Sequence, residues 1–356
     1  MDIQTATRTY EAWVAAQTPL IAGDIELKHK RMAETPFLLF RGSFYRWAQL
    51  WPKLCPALAT AAKILAVGDL HIENFGTWRD SEGRLIWGVN DFDEAAPVPY
   101  TIDLVRLGTS AILAARQSSL AIGADDACAA ILEGYRAGIG GDAEPFVLEK
   151  DHARLRDLAI GGLRDPAKFW AKMRALPDCA VAPQKNVRTW LEKALPEHGL
   201  DYRLVHRVAG LGSLGRQRYV ALAEWRGGSI AREIKVLTAS AYAWANGAAT
   251  VRKIYYSDVL RRAIRCPDPH LEFHGRWLLR RLAPDCSRIE LASLPERRNE
   301  RDLLHAMGRE TANIHLGSEG ALAIKPDLDL RKRKWLVEAA TTMADSTIAD
   351  WKAWKR

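Results

Sequence analysis

Three carboxylates and a carboxamide lie close together in the sequence segment 67–94, VGDLHIENFGTWRDSEGRLIWGVNDFDE. Asp69 and Asn74 are near its beginning, and Asp91 and Asp93 are near its end. Oxygen atoms of such side chains are ligands for magnesium, and a carboxylate can also accept a proton from a hydroxyl group. If the fold brings the four together, the carboxylates repel one another unless a cation or a proton lies between them. The segment therefore predicts a polar site that holds a cation.

The same segment predicts a β-hairpin that brings its two ends together. Residues 74–78 and 85–89 have the composition and alternation of strands, and Asp80-Ser81-Glu82-Gly83 between them favours a tight turn. After the hairpin, Pro97 and Pro99 predict a turn. A helix is expected to begin near Asp103, where the helix dipole favours an anion.

A second group of residues with possible chemistry is the glycine-rich sequence 210–215, GLGSLG. The strand-like sequences 204–208 and 218–224 flank it, and Lys235 lies within a third strand-like sequence, 230–237. A nicotinamide-binding loop would be followed by a helix, so the strand pattern argues against that cofactor. A glycine loop that closes a hairpin, with a lysine on the next strand, matches the phosphate-covering arrangement of kinases.

Composition sets broad limits on the function. The chain has 356 residues, a formal net charge of +8 and five cysteines without a CxxC pair, which indicates reduced thiols and a preference for anionic partners. Short basic clusters such as Arg261-Arg262 and Arg280-Arg281 are typical of solvated helix faces, and they argue against a nucleic-acid partner. The N-terminus lacks the apolar region of a signal peptide and no run has the length of a membrane span, so we expect a cytoplasmic protein.

The motifs resemble those of known phosphotransferases. GDLHIENFG is similar to the GDxHxxN catalytic loop of aminoglycoside and choline phosphotransferases, and VNDFDEA is similar to their metal motif. Together with FLLFRG and DLVRL, they most resemble the bacterial DUF2252 family of uncharacterised proteins, which is placed with the kinase-like fold. The resemblance implies an α+β, protein-kinase-like (aminoglycoside phosphotransferase-like) fold with two lobes. The fold would be circularly permuted, because the glycine loop and its lysine follow the catalytic loop in sequence.

The resemblance also implies roles for individual residues. Asp69 would be the catalytic base, Asn74 and Asp91 the magnesium ligands, and Asp93 a further ligand or a residue directly behind the ligands. Lys235 would hold the α- and β-phosphates of ATP. The glutamate that pairs with this lysine in kinases is not identified, since no glutamate follows Lys235 in the sequence before position 272.

Other residues would support this site. The resemblance implies that His71 stabilises the catalytic loop and that Asp103 holds it from beneath. Arg41 could reach a phosphate or form a structural ion pair. The residues predicted to cover the phosphates are Gly210, Gly212, Ser213 and Gly215.

These features predict three regions and one preferred function. Residues 1–200 would form a helical lobe with the catalytic loop, 201–285 a β-rich nucleotide-binding lobe, and 286–356 helices that complete the helical lobe. The predicted function is an ATP- and magnesium-dependent phosphotransferase acting on a small hydroxyl-bearing acceptor. A nucleotide-binding pseudokinase or regulatory module is an alternative, favoured by the missing glutamate. A two-metal phosphoesterase is another, because the sequence 68–71, GDLH, contains the DxH motif of such enzymes.

Overall fold

The computed structural model of the protein describes residues 1–149, 152–153, 155–157, 165–247, 253–286 and 300–356. Its helices are α1 (Ile3–Ala15), α2 (Ala22–Glu34), α3 (Pro36–Gly42), α4 (Phe44–Leu54), α5 (Pro56–Ala59), α6 (Thr101–Arg116), α7 (Ala124–Ala137), α8 (Pro166–Arg174), α9 (Lys185–Lys193), α10 (Ala241–Ala245), α11 (Tyr256–Arg262), α12 (Glu300–His315), α13 (Ile324–Leu330) and α14 (Trp335–Trp354). Its strands are β1 (Lys63–Ala66), β2 (Phe75–Arg79), β3 (Leu85–Val89), β4 (Ala96–Pro99), β5 (Phe146–Val147), β6 (Arg203–Val205), β7 (Arg218–Trp225), β8 (Gly228–Val236), β9 (Glu272–His274) and β10 (Trp277–Leu282). The predicted α+β class is confirmed. No helix in these ranges is long and apolar enough to cross a lipid bilayer.

The predicted hairpin is present. β2 and β3 pair antiparallel, with Phe75 opposite Val89, and β5 adds a third strand. Asp80 closes the turn, because its Oδ1 atom accepts hydrogen bonds from the backbone N–H groups of Glu82 at 3.0 Å and Arg84 at 2.9 Å. An aspartate that bonds to the backbone two residues on is a common way to fix such a turn.

The turn predicted from Pro97 and Pro99 is wrong. These residues belong to β4, which pairs antiparallel with β1 in a two-stranded sheet. Proline lacks a backbone N–H group, so it is tolerated on an edge strand where that group is not needed for pairing. The two prolines are two residues apart, and their nitrogen atoms therefore share one edge of the strand.

The β-rich region forms one antiparallel sheet in the order β6-β7-β8-β10-β9. One face packs on α9, with Tyr219 and Ile234 against Val187 and Leu191. Side chains alternate along a strand, so Lys235 lies on the opposite face. The sheet therefore presents one apolar face to a helix and one charged face to the hairpin region. The division of the chain at residues 200 and 285 stays a prediction.

The helical core positions the polar hairpin. α6 is buried along most of its length, and α7, α12 and α14 pack around it. Helices α7 and α12 approach very closely where two glycines face the partner helix. A Cβ atom at Gly134 would overlap the carbonyl oxygen of His305, and one at Gly308 would overlap that of Ile131. This close approach matters for the site, because α12 carries buried polar residues that contact it.

Replacing Gly134 by Ala is expected to lower the free energy of unfolding by about 3 kcal/mol, because a rigid backbone carbonyl of α12 occupies the added methyl position. Gly140→Ala is the matched control, since no atom lies within 4 Å of the position of its Cβ. The control should change stability by less than about 1 kcal/mol. Urea unfolding followed by circular dichroism measures both values. Equal stability of the two variants would contradict the close crossing.

Candidate functional site

The loop that carries Asp69 is held from beneath by a buried aspartate at the start of α6. The carboxylate of Asp103 accepts hydrogen bonds from the backbone N–H groups of Val67 at 2.7 Å and Gly68 at 2.8 Å. The same carboxylate lies 2.9 Å from Nε2 of His315 on α12. The other ring nitrogen of His315 lies 2.8 Å from the hydroxyl of Tyr135. This is the supporting role that the sequence resemblance implies for Asp103.

Asp69 is oriented by an arginine that the sequence analysis missed. Nε of Arg106 donates to Oδ1 of Asp69 at 2.7 Å, and its Nη2 donates to the carbonyl of Phe40 at 3.0 Å. The guanidinium is fully buried, and it lies 3.9 Å from the centroid of the Phe40 ring, with Phe44 and Trp47 nearby. A charged residue in an otherwise apolar helix needs a partner, and this was the available signal in DLVRL. One oxygen of Asp69 is therefore fixed, and the other is directed toward the glycine loop.

Lys235 of the five-stranded sheet is bound to the two aspartates at the end of the hairpin. Its ammonium lies 3.2 Å from both carboxylate oxygens of Asp91 and 2.8 Å from Oδ1 of Asp93. The Lys235 side chain is 2% exposed. The fold thus brings Lys235 and Asp91 into contact, although they are 144 residues apart in sequence. The aspartates take the place of the glutamate partner that the sequence analysis could not identify.

Two oxygen atoms in this cluster accept no hydrogen bond. The Nδ2 group of Asn74 donates to the backbone carbonyls of Asp91 at 2.9 Å and Asp69 at 3.3 Å, which fixes the orientation of the carboxamide. Oδ1 of Asn74 and Oδ2 of Asp93 are buried and have no hydrogen-bond partner among the residues that the structure describes. Unsatisfied acceptors of this kind are costly unless a cation or a donor binds there. The donor set of Asn74, Asp91 and Asp93 therefore fits a hard cation such as magnesium.

The cluster is not a cage that would hold a metal by itself. Across the described ranges, no three or more His, Cys, Asp or Glu side chains converge as a metal site. Magnesium is usually bound by one or two carboxylates together with substrate phosphates and water, so a partial donor set suits it. The pKa of Asp93 is raised to about 6, mainly by burial and then by the negative charge of Asp91, whereas the charge of Lys235 opposes the shift. The ammonium of Lys235 reduces the repulsion between the carboxylates of Asp91 and Asp93.

The glycine loop lies directly over Asp69. A Cβ atom at Gly212 would lie 3.3 Å from the carbonyl oxygen of Arg41 and 3.5 Å from Oδ2 of Asp69, so the loop backbone approaches the carboxylate closely. Gly215 has φ = 97°, in the left-handed region that favours glycine, and its Cβ would overlap Ile25 of α2. Gly210 also has a positive φ, of 73°. The loop is thus a tight turn pressed between α2 and the catalytic loop.

The end of the glycine loop is fixed by a second missed group of residues. Arg216 donates to the hydroxyl of Tyr10 at 3.0 Å and to Glu94 at 3.4 Å. Glu94 also accepts the backbone N–H of Ala241 at 2.6 Å. Burial raises the pKa of Glu94 to about 7, although the Arg216 guanidinium opposes this shift. Ser213 is tied to the sheet, because its hydroxyl accepts from Arg218 at 3.3 Å.

The remaining predicted residues lie at the margin of the same site. Arg41 forms an ion pair with Glu73 rather than pointing freely into the cleft. His71 is buried, and its Nδ1 accepts the backbone N–H of Glu73 at 3.2 Å, which supports the turn of the loop. A cavity of about 40 Å³ is lined by the predicted residues Arg41, Asp69, His71, Asn74, Asp91, Asp93, Gly210, Gly212 and Ser213. The fold therefore brings these residues together, with Lys235 bound to Asp91 and Asp93 behind them.

Replacing Asp103 by Asn is expected to lower the free energy of unfolding by about 2–4 kcal/mol. The carboxamide of Asn would place its own N–H group against one of the N–H groups that now donate to the carboxylate. Two donors would then face each other without an acceptor. Asp345→Asn is the control, because its side chain is 62% exposed, and it should change stability by less than about 0.5 kcal/mol. Urea unfolding measures both. A loss of stability below 1 kcal/mol in Asp103→Asn would show that the support is not needed.

The comparison with known families agrees with the motifs. Residues 20–161 match the model of the DUF2252 family, described as an uncharacterised protein conserved in bacteria. No curated protein and no solved structure matches the chain. The matched segment contains the catalytic loop, the hairpin and α6, which together hold Asp69, Asn74, Asp91 and Asp93. The match supports the family predicted from the sequence over residues 20–161, which are less than half of the chain's 356 residues.

Proposed function

We propose that the protein is an ATP- and magnesium-dependent phosphotransferase with a circularly permuted, kinase-like, two-lobed fold. The observation that carries the proposal is the meeting of three separate sequence regions. The catalytic loop, the end of the hairpin and the glycine loop line one cavity, and Lys235 binds the hairpin end beside it. A transferase of phosphoryl groups needs a positioned carboxylate, oxygen ligands for magnesium and donors for phosphate, and these groups supply all three.

In this proposal, each group of residues has a separate role. Asp69 accepts the proton of the acceptor hydroxyl at Oδ2, because Arg106 already occupies Oδ1. Asn74 and Asp91, with Asp93, would hold magnesium, which when bound neutralises phosphate charge. The backbone of the glycine loop covers the phosphates and excludes water. Lys235 would hold the phosphates with its ammonium, and a metal held by the aspartates would supply the positive charge that Lys235 provides there in this structure.

The cavity next to Asp69 is small in this state. The glycine loop leaves about 40 Å³ of free space beside the carboxylate, and Tyr10 and Tyr45 line the same cavity. Because this space is too small for phosphates, magnesium and an acceptor together, the proposal requires the glycine loop to move away from Asp69 when they bind. The acceptor in this proposal is a small molecule that carries a hydroxyl group.

The base assignment is tested by two variants that should fail in different ways. Asp69→Asn should lower the rate of magnesium-dependent ADP release by about 100-fold or more, with ATP affinity within about threefold of wild type. Asp91→Ala should instead weaken ATP binding only when magnesium is present. Calorimetry gives the affinities, and a coupled ADP assay with water, polyols and amino alcohols gives turnover. Asp350→Asn, whose carboxylate pairs with Arg46 outside the cavity, is the control.

Full activity of Asp69→Asn would remove Asp69 as the base. Magnesium-dependent ATP binding by wild type without turnover on any acceptor would identify a nucleotide-binding pseudokinase instead.

A two-metal phosphoesterase is a second candidate, because Asp69 and His71 of the DxH motif line the same cavity. That chemistry needs metal-activated water and no nucleotide. The phosphotransferase proposal predicts no manganese-supported hydrolysis of p-nitrophenyl phosphate above the rate of Asp69→Asn. Hydrolysis that is rapid in wild type and unchanged in Lys235→Ala would favour the phosphoesterase.

A further inference from the structure

A second and larger cavity lies on the charged face of the five-stranded sheet. Its volume is about 260 Å³, and Asp91 and Gly210 belong to the walls of both this cavity and the smaller one. The two spaces are therefore neighbours on either side of these residues. No role was predicted for the arginines in this cavity, and Arg280-Arg281 were expected on a solvated helix face. That expectation is wrong, because both arginines are on β10 and line the cavity.

Three of the arginines in the cavity wall share one buried carboxylate. Arg207 donates to Glu233 at 2.6 Å, Arg218 at 2.7 Å and Arg280 at 2.8 Å. The Glu233 side chain is fully buried. Although burial opposes ionisation, the three guanidinium groups hold the pKa of Glu233 well below its usual range. Glu233 is therefore an anion that fixes the three arginines in place.

The charges in this cluster do not balance. Three guanidinium groups against one carboxylate leave two positive charges. Arg281 adds a cation that lies 3.9 Å from Asp285, and the exposed Lys172 adds another. Asp268 adds one negative charge to the wall, whereas the carboxylate of Asp91 is bound by Lys235. The wall therefore keeps an excess of positive charge, which comes mainly from the arginines around Glu233. Uncompensated buried charge is costly, so the arrangement is suited to an anion from outside.

The geometry of the donors suits an oxyanion. Guanidinium groups match phosphate oxygens through paired N–H donors. The Nε atom of Arg281 is buried and has no hydrogen-bond partner in the described part of the chain, so within it at least one donor of the cluster is unsatisfied. Burial lowers the pKa of Arg207, and repulsion from Arg280 and Arg218 lowers it further. A bound anion would relieve this repulsion.

Apolar side chains also line the cavity. Phe169, Met173 and Leu176, from α8 and the residues that follow it, contribute to it together with Leu271 and Leu282. The cavity can thus contact an organic group while its arginines bind an anion, which is the usual composition of a small-molecule site. Inorganic phosphate alone would not use these apolar contacts.

We propose that this cavity binds an organic phosphate, with its phosphate on Arg207, Arg280 and Arg281 and its organic part against α8. Binding of an organic phosphate in this cavity does not depend on the proposed function. Only the part that this ligand would play in phosphoryl transfer rests on it. The phosphate has two possible sources, which are the nucleotide itself and an acceptor that already carries a phosphate. Either source places the ligand beside Asp91, where the two cavities meet.

Calorimetry on the full chain tests the inference with AMP, glucose 6-phosphate, and their neutral counterparts adenosine and glucose. At least one phosphate ester should bind, and its neutral counterpart should bind at least about tenfold more weakly, since charge-assisted hydrogen bonds are lost. Arg280→Gln should weaken the ester by about tenfold or more. Arg281→Gln should also weaken binding of the ester by about tenfold or more. The contacts of Arg281 are long, at 3.7 Å to Cys286 and 3.9 Å to Asp285, so this variant is less at risk of failing to fold. Arg203→Gln is the control, because Arg203 is on the same sheet but outside this cavity.

Competition identifies the source of the phosphate. If a non-hydrolysable ATP analogue with magnesium displaces the ester, the cavity takes phosphates of the nucleotide. If both bind together, it takes a phosphorylated acceptor. The inference is overturned if neither ester binds, or if Arg280→Gln and Arg281→Gln bind the ester as wild type does. Ester binding that these variants weaken, in a protein that shows no magnesium-dependent ATP binding, would support the cavity while contradicting the phosphotransferase.

Discussion

A single buried ammonium joins the two halves of the candidate site. Lys235 bonds to Asp91 and Asp93, which connects the five-stranded sheet to the end of the β2–β3 hairpin. Without a cation there, two adjacent carboxylates in a buried setting would repel each other, and removing one partner of a buried pair costs about 3–5 kcal/mol. The position of the glycine loop depends on the same contact, because the loop leads into β7, which pairs with β8 beside Lys235. The contact of Lys235 with Asp91 and Asp93 is therefore structural, and its atoms are also those of the proposed phosphate and metal site. In the proposal, a ligand that brings both metal and phosphate replaces this contact.

The other half of the site is held by the helical core. Asp103 accepts two backbone N–H groups beneath the catalytic loop, His315 bonds to Asp103 from α12, and Arg106 fixes one oxygen of Asp69. Asp103, Arg106 and His315 are fully buried, so their positions depend on helix packing rather than on solvent. The close crossing of α7 and α12 thus has a consequence for chemistry, because it sets the position of His315. The Asp69 carboxylate is thus fixed by Arg106, whereas the Lys235 ammonium is held only by the carboxylates of Asp91 and Asp93.

Sequence alone could predict the parts of the site that depend on local pattern. The hairpin follows from strand alternation and the turn composition of residues 80–83, and the motifs imply that Lys235 and Asp91 lie in one site, although not that they pair directly. The Arg106–Asp69 pair could not be assigned, because its aromatic surroundings come from α3 and α4, far away in sequence. Because side chains alternate along a strand, Glu233 could be placed on the same face of β8 as Lys235. The three arginines that bind Glu233, however, come from the β6–β7 connection, β7 and β10. Their meeting depends on a strand order that no local pattern contains.

The most direct test of this account is a crystal structure of the protein with magnesium and a non-hydrolysable ATP analogue. The account predicts density for the analogue's phosphates beneath the glycine loop, with a metal at Asn74 and Asp91 and the Lys235 ammonium on phosphate oxygen. Phosphates bound at another surface would contradict it. A Lys235 that still binds both Asp91 and Asp93 beside a bound nucleotide would also contradict it, since the proposed exchange of cations would not have taken place.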